Sequence, residues 1–108
     1  MTEASLSRNL LERLGRRDDL RIWRQNSGVL LSPGTGHPIR AGIRGCADLS
    51  GILRGGRRLE LEVKTRSGRQ SIHQNAFGHM IARFGGCYAV VRSVDEALAV
   101  VEEALCHS

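Results

Sequence analysis

At 108 residues, 41% hydrophobic and 25% charged, the chain has room for one core and not two, so a single domain over 1–108 is expected. No apolar run is long enough to span a bilayer, and the N-terminus MTEASLSRNLLERL lacks a charged segment followed by an apolar one. A cytoplasmic protein without a membrane partner is therefore predicted. The whole net charge of +5 lies between Arg40 and Arg69, where eight basic residues stand against three acids, with eight against eight elsewhere. Such a field suits a polyanion, nucleic acid foremost, that approaches a few carboxylates.

Leu6, Leu10 and Leu14 recur every fourth residue, with Leu11 beside them, which predicts an amphipathic helix from about Glu3 to a stop at Gly15. RIWRQNSG reads as a short strand, and SPGTGHPIRAG, Ser32 to Gly42 with both prolines, as a long loop able to drape over a ligand. GCADLSGIL and RRLELEVKT flank RGG and predict a hairpin. Ile72, Ala76, Phe77, Met80, Ile81 and Phe84 then follow helical spacing up to Gly85 and Gly86. CYAVVRS is a strand, and SVDEALAVVEEAL a final helix with Ser93 and Glu96 in capping-box spacing. The expected order is α-β-β-β-α-β-α, an α/β fold with a mixed sheet flanked by helices.

Cys46, Cys87 and Cys106 have no paired metal-ligand spacing and are expected to be small buried hydrophobes in a reducing compartment. His37, His73, His79 and His107 are equally scattered, so neither a disulfide framework nor zinc is expected.

The hairpin register can be worked out. A two-residue loop over Gly55 and Gly56 would put acids and core residues on one face. A three-residue loop of Arg54, Gly55 and Gly56 pairs Leu49 with Leu61, Gly51 with Leu59 and Ala47 with Val63, which leaves one clean apolar face. Asp48 then lies opposite Glu62, with Cβ atoms roughly 5 Å apart. Two carboxylates so close repel unless a cation or a proton sits between them. Lys64 follows on the same face and is the only lysine among 16 basic residues, a compact tunable ammonium where the chain otherwise uses guanidinium. Glu60, a step back, is expected to form a surface salt bridge with Arg58 or Arg69.

Carboxylate oxygens at Asp48 and Glu62 suit Mg²⁺ or Mn²⁺, and with Lys64 to orient water or offset charge the set fits phosphodiester hydrolysis. Arg44, Arg54, Arg66 and Arg69 are the expected phosphate contacts. With four aromatic residues in the chain, stacking of bases on an aromatic platform is not expected.

GCADLSGIL, LELEVKT, GRQSIHQNAF and GGCYAVVRSVDEAL, in this order and spacing, resemble the VRR-NUC domain of the PD-(D/E)xK nuclease superfamily. The likeness extends upstream to TEASLSRNLLERL and WRQNSG and so covers nearly the whole chain. The resemblance implies a restriction-endonuclease-like core and a metal-dependent, structure-specific endonuclease. It implies catalytic roles for Asp48, Glu62, Lys64 and Gln74, and metal binding by Asp48, Glu62, the Val63 backbone carbonyl and Glu3. Members often carry a glutamine shortly after that first acid, where this chain has Ser7. Standalone members resemble Holliday-junction resolvases, which implies branched DNA as partner, a homodimer and no small-molecule cofactor. The apolar side of the last helix, Val94, Leu98, Val101 and Leu105, is either a dimer interface or a cover for the sheet. Two other readings stay open: a non-catalytic nucleic-acid-binding module, and an Arg-rich domain that binds an acidic protein.

Overall fold

The structure, a computed structural model, describes residues 2–25, 28–31, 33–41 and 43–107. Its elements are α1 (Glu3–Gly15), β1 (Leu20–Arg24), β2 (Gly28–Leu31), β3 (Pro38–Ala41), β4 (Leu49–Leu53), β5 (Arg58–Val63), α2 (Ile72–Arg83), β6 (Cys87–Val91) and α3 (Val94–Cys106). Four strands form a mixed sheet in the order β1-β4-β5-β6, antiparallel except for the parallel pair β5 and β6. Apart from a separate β2-β3 ribbon, the order is the expected α-β-β-β-α-β-α.

Each helix begins where a hydroxyl can accept the first free backbone N–H groups. Thr2 accepts from the Ser5 N–H and Ser71 from the Gln74 N–H, both within reciprocal capping boxes. Ser93 accepts from the Glu96 N–H, but the Glu96 carboxylate turns to the Arg92 N–H instead, so the expected box on α3 is only half formed.

Leu6, Leu10 and Leu14 of α1 pack with Ala97, Val101 and Ala104 of α3 against one sheet face, where they meet Leu49, Leu53, Leu59, Leu61, Val63 and Val91. The apolar side of α3 is thus spent on its own sheet, with Val94, Leu98 and Leu105 half-buried against that core, and it is not a free dimer interface. Helix α2 covers part of the opposite face through Phe77, while Ile72 and Phe84, placed on the same helical spacing, stand 80% exposed at its two ends. Because α2 lies there, β5 is buried on both faces after Arg58, and Glu60 and Glu62 are core residues rather than a solvent face. Among the described residues the three cysteines are free thiols, with Cys106 exposed, contrary to the expected burial.

Of the segment read as a loop, Pro38–Ala41 forms strand β3, paired antiparallel with β2 just before the segment, Gly28 with Ala41 and Leu31 with Pro38; Asn26, Ser27, Ser32 and Gly42 lie outside the described residues. Proline is admissible at the first position of a strand, which is where Pro38 stands, so its presence misled the sequence reading. No helix among the described residues is long and apolar enough to cross a membrane.

Candidate active site at the β5-α2 end of the sheet

The hairpin adopts the three-residue register. Leu49 pairs with Leu61 and Gly51 with Leu59, and the Leu53 N–H donates to the Arg57 carbonyl at 2.8 Å. One step beyond the last pair, Asp48 faces the end of β5. Its Oδ2 accepts the Val63 N–H at 2.7 Å in place of a ladder carbonyl. A residue in a strand directs its N–H and C=O to the same side, so the Val63 carbonyl also faces Asp48.

Glu62 is 2% exposed. Its Oε2 accepts from Gln74 Nε2 at 3.0 Å, and Lys64 Nζ lies 3.9 Å from the same oxygen. Its Oε1 is buried without a hydrogen-bond partner among the described residues. Burial pushes the Glu62 carboxyl up to about 9; contact with the Asp48 carboxylate and its charge add to the rise, Lys64 opposes it and Glu3 adds a little. At neutral pH and without a cation, Glu62 therefore keeps a proton.

Gln74 does two things at once. Its Oε1 accepts the Ser71 N–H at 2.8 Å as half of the capping box, while its Nε2 donates to Glu62. With Oε1 held by a donor, the amide has only its NH₂ to offer the carboxylate. The cap and the site contact are one arrangement. Gly45 sets α2 at this distance: its φ is +82°, and a Cβ there would run into the His73 carbonyl.

Glu3 does not join the pair as a third ligand. Its Oε2 accepts the Thr65 N–H at 3.3 Å, and among the described residues no three His, Cys, Asp or Glu side chains are grouped to hold a metal ion. Ser7 is buried in α1. Two carboxylates still fit Mg²⁺ or Mn²⁺, which bind through one or two of them and keep several waters. The partnerless Glu62 Oε1 is the atom that such an ion would satisfy.

Arg66 and Arg69 are exposed on the β5-α2 loop, and Arg44 is exposed beside Gly45, so these three lie at the carboxylate end. Arg54 does not. It sits in the β4-β5 turn at the other end of β5, about 16 Å away along the strand, with Nη2 donating to the Asp18 carbonyl at 2.8 Å. Glu60 pairs with Arg58 at 3.0 Å, as expected in partner but not in setting, for it is 1% exposed and also accepts from Ser50 Oγ.

Sequence reasoning missed two residues here. Arg92 Nη1 donates to the Thr65 carbonyl at 2.7 Å and the Gly68 carbonyl at 2.6 Å, clamping the loop that carries Arg66 and Arg69. Tyr88 lies beside Glu60 on the parallel strand, its hydroxyl accepting from Gln70 Nε2 at 2.9 Å; burial pushes its phenol up. The only signal for either was the parallel β5-α2-β6 crossover, which sets the ends of both strands side by side.

No family model matches the chain, and no curated protein matches it.

Proposed function

We propose that the protein is a divalent-metal-dependent endonuclease that hydrolyses DNA phosphodiester bonds, of the kind its resemblance to the VRR-NUC domain implies. The observation that supports it most is Glu62 Oε1, a carboxylate oxygen buried without a partner and set across from a second carboxylate. Asp48, Glu62 and the Val63 carbonyl would hold Mg²⁺ or Mn²⁺. The bound ion would polarise a phosphoryl oxygen and lower the pKa of a water.

The chain's own groups do the rest. Gln74 fixes Glu62 by one oxygen, which leaves the other for the cation. Lys64, 13% exposed, holds a positive charge where it offsets negative charge gathering on the phosphoryl group and orients the attacking water. Arg44, Arg66 and Arg69 bind phosphates and set affinity without reading sequence. Branched DNA cut by a homodimer completes the proposal, since two sites about a twofold axis are what paired strands require.

Cleavage of labelled four-way-junction and linear duplex DNA with Mg²⁺, with Mn²⁺ and with chelator tests this. Metal-dependent cutting is expected, reduced at least about 100-fold in Lys64→Ala and Asp48→Asn. No cutting of either DNA in either metal, with binding kept in chelator, would favour the second reading, a non-catalytic nucleic-acid-binding module. One observation supports that alternative: Glu3 is turned to the Thr65 N–H and leaves the carboxylates a pair.

A further inference from the structure

Helix α2 covers only part of its sheet face. In the ladder on that side Trp23 lies beside Ser50, Ser50 beside Glu60, and Glu60 beside Tyr88, and the helix packs mainly on β5 and β6. Ser50 and Glu60 are nonetheless buried, and the face opens only at its β1 edge, around Trp23. Trp23 is 41% exposed with the Arg58 guanidinium 5.8 Å from its ring centroid, and Arg58 also borders a groove of about 410 Å³ floored by Phe77 and Met80 and edged by Ile43 and Phe84. Ile43 is 58% exposed and Phe84 80%. Arg44 and Arg83, their neighbours in the chain, are exposed as well.

The charge on this surface has one sign. The one carboxylate in the groove wall, Glu60, is buried and already paired with Arg58, and α2 carries no acidic residue. Acids outside the site lie on α1, on α3 and in the turn at Asp18 and Asp19. Aromatic and guanidinium planes with arginines around them match a chain that alternates flat bases with phosphates. A second copy is the poorer occupant, because a twofold interface sets a patch against itself and would oppose Arg44, Arg58 and Arg83 to their own duplicates.

We infer that this open surface, Trp23 with Arg58, Ile43 and Phe84, is a second nucleic-acid site that stacks unpaired bases of a single-stranded segment. It rests on the proposed function in taking nucleic acid as the ligand, and it reverses the expectation that four aromatics leave no stacking platform. Two strand spacings and two residues separate Trp23 from Glu62, about 12 Å. Three to four stacked nucleotides at roughly 3.4 Å each cover that distance. The unpaired arm of a branched substrate would then lie on the platform while its duplex end meets the carboxylates.

Trp23 is the only tryptophan, so its fluorescence reports this surface alone. Titrating the protein with short oligothymidylate in chelator should quench it saturably, less so as salt rises. Trp23→Ala and Phe84→Ala should each weaken binding of the labelled oligonucleotide about 10-fold, with Trp23→Phe closer to wild type. Binding without quenching would overturn the inference, as would a protein-concentration-dependent emission shift without DNA, which would assign the surface to a second copy. Quenching with no cleavage of any DNA would remove the nuclease reading and retain this site. Cleavage without quenching would do the reverse.

Discussion

Leu61 and Glu62 are adjacent in β5 and point to opposite faces of the sheet, and the two faces are held by different forces. On Leu61's side α1 and α3 close a leucine and valine layer in which Ser7 of α1 is the one buried polar side chain among the described residues. On Glu62's side every buried polar atom has to be answered individually: Glu60 by Ser50 and Arg58, Glu62 Oε2 by Gln74, and Glu62 Oε1 by nothing among the described residues. An apolar layer stabilises by the area it removes from water, indifferent to pH. A buried polar layer stabilises only as far as it is satisfied, so its weakest point marks where a ligand is awaited.

Paired substitutions can break the comparison. Leu61→Ala should cost about 2–5 kcal/mol in denaturant unfolding at any pH. Its neighbour behaves otherwise. Because the folded Glu62 carboxyl titrates near 9 and the unfolded one near 4.5, the folded state binds the extra proton between these values. Stability should be full below the lower value and fall as pH rises through the window, by at most about 1.4 kcal/mol per pH unit. Glu62→Gln should flatten that slope. Mg²⁺ should flatten it too, by binding the ionised form. A wild-type protein whose stability is level from pH 5 to 8 in chelator would show that Glu62 is not the strained group of its face.

Gln74→Glu sharpens the comparison within a single residue. Glutamate serves the capping box at least as well and suits the positive end of a helix, so the helix start should hold while the contact to buried Glu62 is lost, at a cost of about 1–3 kcal/mol in folding stability. Yet it puts an oxygen against Glu62, and cleavage should fall sharply. Cleavage kept at the wild-type rate would reduce Gln74 to a cap. The smallest effect concerns the arginines: Arg66→Ala should lower the salt dependence of DNA binding by about one unit of slope, and Arg54→Ala should leave it unchanged.

Local rules made much of this legible. The α1 boundaries followed from leucine spacing, and the hairpin register from loop length and a period of two, because each depends on residues near in sequence. Asp48 opposite Glu62 came with the register. What escaped depends on distant pairing. That α2 would bury Glu60 and that the parallel strand would bring Tyr88 and Arg92 to the site follow from how elements stack, whereas Arg54's place at the far end was already implied by the hairpin register. The β2-β3 ribbon escaped for another reason, since its short runs are broken by glycine and proline in a pattern that loops share.

The amide of Gln74, held at one end by the Ser71 N–H and at the other by Glu62, ties the site to the most easily frayed part of a helix. Opening a single turn releases both contacts and leaves the leucine layer intact, so the site can be lost and regained without the fold unfolding. In amide exchange, the Gln74 N–H bound to Ser71 Oγ would open at far lower free energy than those of β5, and any ligand that grips Glu62 would slow it first. The helix end thus sets how much of the time the site exists, a quantity that substitutions well away from the carboxylates can tune.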